Sequence, residues 1–173
     1  MSNIDGNVHE IILSEITDSI AVKELVLNNE PIHAQLDELI SQCLSTLKAG
    51  GKVIFAGNGG SFADAQHLSA EFTSRFMFDR APLASIALGT NSSAMSAIGN
   101  DYGYDQVFAR ELEALASPED IFIPISTSGN SANIIKAIEI ALDKKLYTLA
   151  LTGESGGTMK NLCNCLCVPS QNT

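Results

Sequence analysis

Lys52-Val53-Ile54-Phe55-Ala56-Gly57-Asn58-Gly59-Gly60-Ser61 is the stretch on which the fold turns. Residues 52–56 form a short apolar run that predicts a buried strand. The glycines that follow let the backbone turn sharply and bring N–H groups close to a ligand. Ser61 is suited to cap a helix, whose first N–H groups then carry a partial positive charge. A strand, a glycine loop and a helix in that order make an anion site. His67 and Glu71 follow at i and i+4, so imidazole and carboxylate share one helix face. Such a pair is also common on solvated helices, and the second loop described below is what gives this one weight.

Outward from that stretch, strand and helix signals alternate. Strands are predicted at residues 52–56, 83–88, 121–126, 146–151 and 163–168, each apolar nearly throughout, as expected of strands covered on both faces. Helices are predicted between them at 61–78, 92–98, 104–115 and 132–143, with a short one at 158–162. The expected fold is α/β: a three-layer sandwich whose mainly parallel five-stranded sheet is flanked by helices. Pro124 conflicts with a central strand, and a bulge or an unneeded N–H position is the expected accommodation. Two further helices, at 10–28 and 32–48, precede the first strand, with a break expected at Asn28-Asn29-Glu30-Pro31. They are more than such a sheet needs, and they are expected either to pack against a neighbouring subunit or simply to cover one end of the sheet. The chain is read as one domain over 1–173, helical over 1–50 and α/β over 51–173.

Composition narrows the function. With 45% hydrophobic and 17% charged residues the chain is globular rather than disordered. A net charge of −10 argues against a general nucleic-acid binder, which needs a basic face. No apolar run reaches the ~20 residues that span a bilayer. The first ten residues lack the basic start and apolar core of a signal peptide, so a cytoplasmic location is the default. Cys163, Cys165 and Cys167 alternate along one strand face, without the spacing of a structural zinc site. They read as buried free thiols, and no disulfide is expected among them and Cys43.

The second loop, Ser126-Thr127-Ser128-Gly129-Asn130-Ser131, again follows a strand and precedes a helix. Its hydroxyls and N–H groups suit a phosphate dianion. Two such loops on the same sheet edge, beyond the carboxyl ends of the strands, point to a phosphorylated ligand. Neither matches a P-loop, and Phe62 breaks the dinucleotide pattern G-x-G-x-x-G. A third loop is expected at Gly99-Asn100-Asp101-Tyr102-Gly103, where Asp101 could bond sugar hydroxyls or simply form an Asx-turn. Arg75, read as one helical turn beyond Glu71, could reach that carboxylate or an anion, or be a surface ion pair.

Together with Leu151-Thr152-Gly153, these motifs resemble the sugar isomerase (SIS) domain family, and within it the phosphoheptose isomerases, from the second helix to the C-terminus. The resemblance implies homotetramers with active sites between subunits. It implies an aldose–ketose isomerisation of sedoheptulose 7-phosphate to D-glycero-D-manno-heptose 7-phosphate, which feeds surface polysaccharide. Ser126, Thr127, Ser128 and Ser131 would hold the phosphate. Asn58, Gly59, Gly60 and Ser61 would line the sugar site with Asn100, Asp101 and Arg75. Glu71 and His67 would be catalytic, and both would supply ligands to a zinc found in some members. The family continues after the last strand into a helix, Arg-Ile-Gln-Glu-x-His, that brings a catalytic His and further zinc ligands. This sequence ends at Thr173, and Asn172 stands where the family has Asp. The expectation is therefore weak or no turnover with the phosphate site intact. The alternative is a non-catalytic SIS module that binds a sugar phosphate or a replication initiator.

Overall fold

The computed structural model describes residues 8–169. The reading of Asn172, and that of the first seven residues, fall outside them. Five strands form one sheet: β1 (Val53–Gly57), β2 (Ser85–Ala87), β3 (Ile121–Ser126), β4 (Tyr147–Gly153) and β5 (Asn164–Val168). Every pairing is parallel, in the order β2-β1-β3-β4-β5. The α-helices among the described residues are α1 (Val8–Leu27), α2 (Glu30–Lys48), α3 (Gly60–Thr73), α4 (Ser92–Tyr102), α5 (Val107–Leu115) and α6 (Ala132–Asp143).

Period-2 alternation along the central strands divides the core into two faces. Ile54, Ala56 and Phe122 pack with Val107, Phe108 and Leu112 of α5 and with Ile134, Ala137 and Ile138 of α6. Val53, Phe55, Ile121 and Ile123 face the other way, against Ala65, Leu68 and Phe72 of α3 and Leu39, Cys43 and Leu47 of α2. The predicted three layers result. Cys163, Cys165 and Cys167 lie on the α6 side of the sheet, and all four cysteines are free thiols; Cys165 is buried as expected, but Cys163 and Cys167 near the sheet edge are only half-buried. Burial pushes the Cys165 thiol up to about 12.

At the amino edge of the sheet a buried clasp joins β1 to β3. The Asp120 carboxylate accepts from Lys52 N at 2.8 Å, Lys52 Nζ at 2.6 Å and Ser117 N at 2.7 Å. Pro124 is accommodated without a bulge. It is aligned with Ala56 of β1, while the β3–β4 ladder skips Ile123 and Pro124 and resumes in the same register at Ile125–Leu151.

Several boundaries differ from the sequence reading for local reasons. α2 begins at Glu30, because Asn29 accepts from Ile32 N at 3.1 Å and caps it. Pro31 therefore sits in the first turn, where a missing N–H costs nothing. β2 is shorter than expected because Leu83 N donates to Phe72 O at the end of α3, and pairing with β1 starts only at Ser85. The predicted helix at 104–115 is a 3-10 turn, Tyr104–Gln106, followed by α5. The short helix expected at 158–162 is likewise a 3-10 turn, Gly157–Asn161.

α1 has no buried residue, and Ile11, Ile12, Ile16 and Ile20 are each about half exposed. Towards its C-terminal end Val26 packs on the cluster of Ile32, Leu149 and Leu166.

Candidate active site

β1 connects to β2 on one side, while β3 lies on its other side. The crevice between the carboxyl ends of β1 and β3 is thus the switch point of the sheet, the place where ligands bind on open α/β sheets. α3 starts just after β1 and α6 just after β3, so both predicted loops face this crevice. The helix starts also differ chemically. Asn29 and Asn91 cap α2 and α4 through their side chains. α3 and α6 begin with no side-chain cap, as does α5, but of these three only α3 and α6 start at the crevice. Their first N–H groups are therefore available to an anion.

The cap of α3 corrects the reading of Ser61. Gly59 holds that position at φ +54, a backbone region that favours glycine, and Gly60 opens the helix with Ser61 in its first turn. The serine loop is more constrained. Ser126 is buried, and its Oγ lies 3.0 Å from Ser131 Oγ. Thr127 and Ser128 are exposed. The residues after β4 hold the loop from behind: Gly153 N donates to Thr127 O at 3.0 Å and Met159 N to Gly129 O at 3.1 Å. Thr158 donates to Asn130 Oδ1 through both N and Oγ1, each at 2.9 Å.

One residue pair bridges the crevice. Asn58 Nδ2 donates to Asn133 Oδ1 at 2.8 Å, and Asn133 Nδ2 donates to Asn58 Oδ1 at 2.9 Å. The Tyr104 hydroxyl donates to the same Asn58 oxygen at 3.4 Å. The turn that carries Tyr104 is itself tied to α6 by Asp105 and Lys136, 2.6 Å apart, and the Lys136 hydrogen bond holds Asp105 below the ordinary carboxylate value. A cavity of about 320 Å³ beside the crevice is lined by Ser61, Asp64, Thr127, Thr152 and Gly153. Another, of about 520 Å³, lies between α3 and α4 and is lined by Phe62, Gln66, Ser96 and Tyr104.

The comparisons with known proteins agree with this layout. The model of the SIS domain family matches residues 20–153. The chain is 47% identical to a phosphoheptose isomerase of Aneurinibacillus thermoaerophilus, over 96% of this chain and 84% of that protein. It is 48% identical to phosphoheptose isomerase 2 of Campylobacter jejuni, over 95% of this chain and 82% of that one. The solved phosphoheptose isomerase of Francisella tularensis superposes with a TM-score of 0.89 at 38% identity, covering 96% of this chain and 88% of that one. That of Neisseria gonorrhoeae gives 0.86, also at 38%, covering 96% and 89%.

The chain belongs to the phosphoheptose isomerase family.

Within this phosphoheptose isomerase relative, the remaining predicted residues lie as follows. His67 and Glu71 share one face of α3, with Nε2 3.9 Å from Oε1, and their side chains are 74% and 33% exposed. The two could bind one ion. However, tetrahedral zinc needs four donors, and no group of three or more His, Cys, Asp or Glu able to hold a metal occurs among the described residues. One chain's described residues thus do not by themselves fit a zinc site.

Arg75 is not one helical turn beyond Glu71. α3 ends at Thr73, and Arg75 is exposed beyond it. A different arginine finishes the helix: Arg80 donates to Glu71 O at 2.7 Å and Phe72 O at 2.9 Å, satisfying terminal carbonyls. The expected loop at 99–103 is the last turn of α4, which runs through Gly99 and stops at Gly103, φ +94. There Asn100 Nδ2 donates to Asp101 Oδ1 at 2.8 Å. Asp101 lines two open depressions with residues of α4, α5 and the turn before α4, and neither includes the glycine or the serine loop. Within one chain the structure therefore brings together Asn58 to Ser61 and Ser126 to Ser131, and leaves Arg75, Asn100 and Asp101 apart from them.

The sequence reading missed Asn133 and Tyr104. The available signal was a polar side chain on the face of α6 that must otherwise be apolar.

Proposed function

We propose, against the expectation of weak or no turnover, that this chain is an aldose–ketose isomerase that converts sedoheptulose 7-phosphate to D-glycero-D-manno-heptose 7-phosphate. The observation that carries this reading is the pairing of two uncapped helix starts and their hydroxyl-rich loops across the switch point, in a chain of the phosphoheptose isomerase family. Ser126, Thr127, Ser128 and Ser131 take the phosphate, with the first N–H groups of α6. The phosphate lies away from the reacting carbons, so its binding energy serves to position them. Asn58, Gly59, Gly60 and Ser61 meet the sugar.

The reaction needs a base at the carbon acid and a relay between the two oxygens. Glu71 removes a proton from C1 of the ketose. The C–H electron pair becomes the C1=C2 bond, and the carbonyl π pair moves onto O2. Return of the proton to C2, with transfer of the O1 proton to O2, leaves the aldehyde at C1. His67, on the same helix face, is the relay. Zinc enters only as an ion to which His67 and Glu71 would contribute two donors, and no step here passes through it.

Ten residues of helix, about 15 Å of axis, separate Ser61 from Glu71. That length favours a site shared between copies, with the serine loop from one and the His67–Glu71 pair from another. Asn100, Asp101 and Arg75 join such a shared site. The half-exposed isoleucines of α1 supply an apolar face for the assembly, which we take to be a homotetramer. Among the described residues no helix is long and apolar enough to cross a membrane. Four free thiols and a phosphorylated substrate suit the cytoplasm, and the product would enter surface-polysaccharide synthesis.

The test compares sedoheptulose 7-phosphate with unphosphorylated sedoheptulose, for the natural chain and for Ser126→Ala/Thr127→Val. Conversion of the phosphate ester alone, lowered at least about tenfold in kcat/KM by the double substitution through loss of hydrogen bonds to a charged group, is expected. Equal conversion of both sugars, or no effect of the substitutions, would remove the serine loop from the account.

A further inference from the structure

Asn133 lies in the first turn of α6, two residues after the serine loop, and is only 4% exposed. Among the described residues its amide pair with Asn58 is the one direct side-chain hydrogen-bonded link between the serine-loop helix and the glycine loop, beside the indirect route through Tyr104 and the Asp105–Lys136 pair. Beyond Gly57, which pairs with Ile125, and the Tyr104 bond to Asn58, nothing packs on the tip of the glycine loop. A Cβ built on Gly59 or Gly60 would meet nothing within 4 Å, so no neighbouring element packs on the loop there. An asparagine side chain has two N–H donors and two acceptor lone pairs. Asn133 takes one donor and one acceptor of Asn58, and Tyr104 occupies the second lone pair. One Asn58 N–H remains for a ligand, on a side chain whose position is fixed from α6.

We propose that Asn133 is a positioning residue. Through Asn58 it ties the glycine loop, which meets the sugar, to the helix that receives the phosphate. Phosphate settling on the start of α6 then orders the glycine loop as well. This is the coupling by which a remote handle aligns reacting atoms. A buried amide pair serving only stability would be replaceable by apolar side chains of the same shape at little cost. A positioning pair is not replaceable in that way. The inference rests on the isomerase reading for its consequence in turnover, and on the geometry alone for the coupling.

The experiment uses Asn133→Leu, which keeps volume, and Asn58→Ala, which removes the pair from the exposed side should the first variant fold poorly. Two readouts are taken. In the first, inorganic phosphate is titrated into ¹⁵N-labelled protein. In the natural chain the backbone amides of Gly59 and Gly60 are expected to shift together with those of residues 126–131. In either variant only the serine loop should shift, with the phosphate affinity within about twofold. In the second, sedoheptulose 7-phosphate kinetics should show kcat lowered about ten- to a hundredfold by Asn133→Leu, with KM within about twofold. The double variant should be no slower than Asn58→Ala alone, since Asn133 acts through Asn58. The same two-loop phosphate response in the variants, or kinetic losses that multiply in the double variant, would overturn the proposal. Absence of turnover by the natural chain would count against the isomerase reading and leave the phosphate titration to decide the coupling.

Discussion

Substitution of Gly129 tests whether the serine loop owes its shape to the segment behind it. Gly129 has φ +65, and a Cβ there would overlap the carbonyl oxygen of Gly156 and lie 2.9 Å from Gly157 N. These are backbone atoms, held in place by the Met159 N to Gly129 O bond, so they cannot swing aside as a side-chain tip would. Two costs then add for Gly129→Ala. The left-handed backbone costs about 1–2 kcal/mol, and overpacking about 1–3 kcal/mol. At roughly 2–4 °C per kcal/mol for a chain of this size, the melting midpoint should fall by about 4–20 °C. Gly59→Ala is the control. Its φ is +54, but nothing lies within 4 Å of its Cβ, so only the backbone cost of about 1–2 kcal/mol applies. Calorimetry should show Gly129→Ala melting clearly below Gly59→Ala. Phosphate binding, followed by the amide shifts of residues 126–131, should weaken more in Gly129→Ala. Equal midpoints for the two variants, with unchanged phosphate affinity in Gly129→Ala, would refute the idea that the 153–159 segment sets the loop.

Three further outcomes follow from the geometry. Asp120→Ala leaves Lys52 N and Ser117 N without their acceptor at the amino edge of the sheet and should cost about 3–5 kcal/mol, read by urea unfolding; a loss under 1 kcal/mol would show that water replaces the carboxylate. Glu111 accepts from Gly89 N at 2.5 Å, and burial raises its pKa above the ordinary 4.5 while that N–H opposes the rise. The folded state then holds the proton longer than the unfolded state, so the stability linked to Glu111 is full below pH 4.5 and is lost as pH rises through the folded pKa. Glu111→Gln should therefore gain on the natural chain in midpoint between pH 4 and pH 7, and parallel curves would contradict this. Ile16→Glu/Ile20→Glu on the exposed face of α1 should weaken self-association at least about tenfold in sedimentation across a dilution series while leaving the unfolding midpoint of the monomer unchanged; an unaltered mass would acquit α1.

Much of the fold was legible because its signals are local. Apolar runs such as Ile121 to Ile125 declare buried strands, and the glycine and serine loops announce two helix starts. What stayed hidden depended on tertiary partners. The end of α3 is set by Arg80, five residues beyond Arg75, whose guanidinium reaches back to carbonyls of a finished helix. Nothing at Thr73 or Ser74 marks that stop. Gly99 looked like a breaker, yet a single glycine costs a helix only about 1 kcal/mol, and α4 continues to Gly103, where φ is positive. Ser61 has the usual cap chemistry, but the chain reaches α3 through a φ that favours glycine, so Gly59 took the position. Asn133 could not be read as a partner of Asn58 because their meeting depends on β1 and β3 lying side by side.

The most direct test of the central claim is a proton NMR time course of sedoheptulose 7-phosphate with this chain in D₂O. An enediolate formed by proton removal and return predicts ketose signals giving way, above an enzyme-free control, to those of an aldoheptose 7-phosphate, with deuterium at C2 in the share of turnovers in which the protonated base exchanges with solvent before it delivers. Ketose signals that stay unchanged, while the chain still binds the sugar phosphate, would contradict the isomerase account.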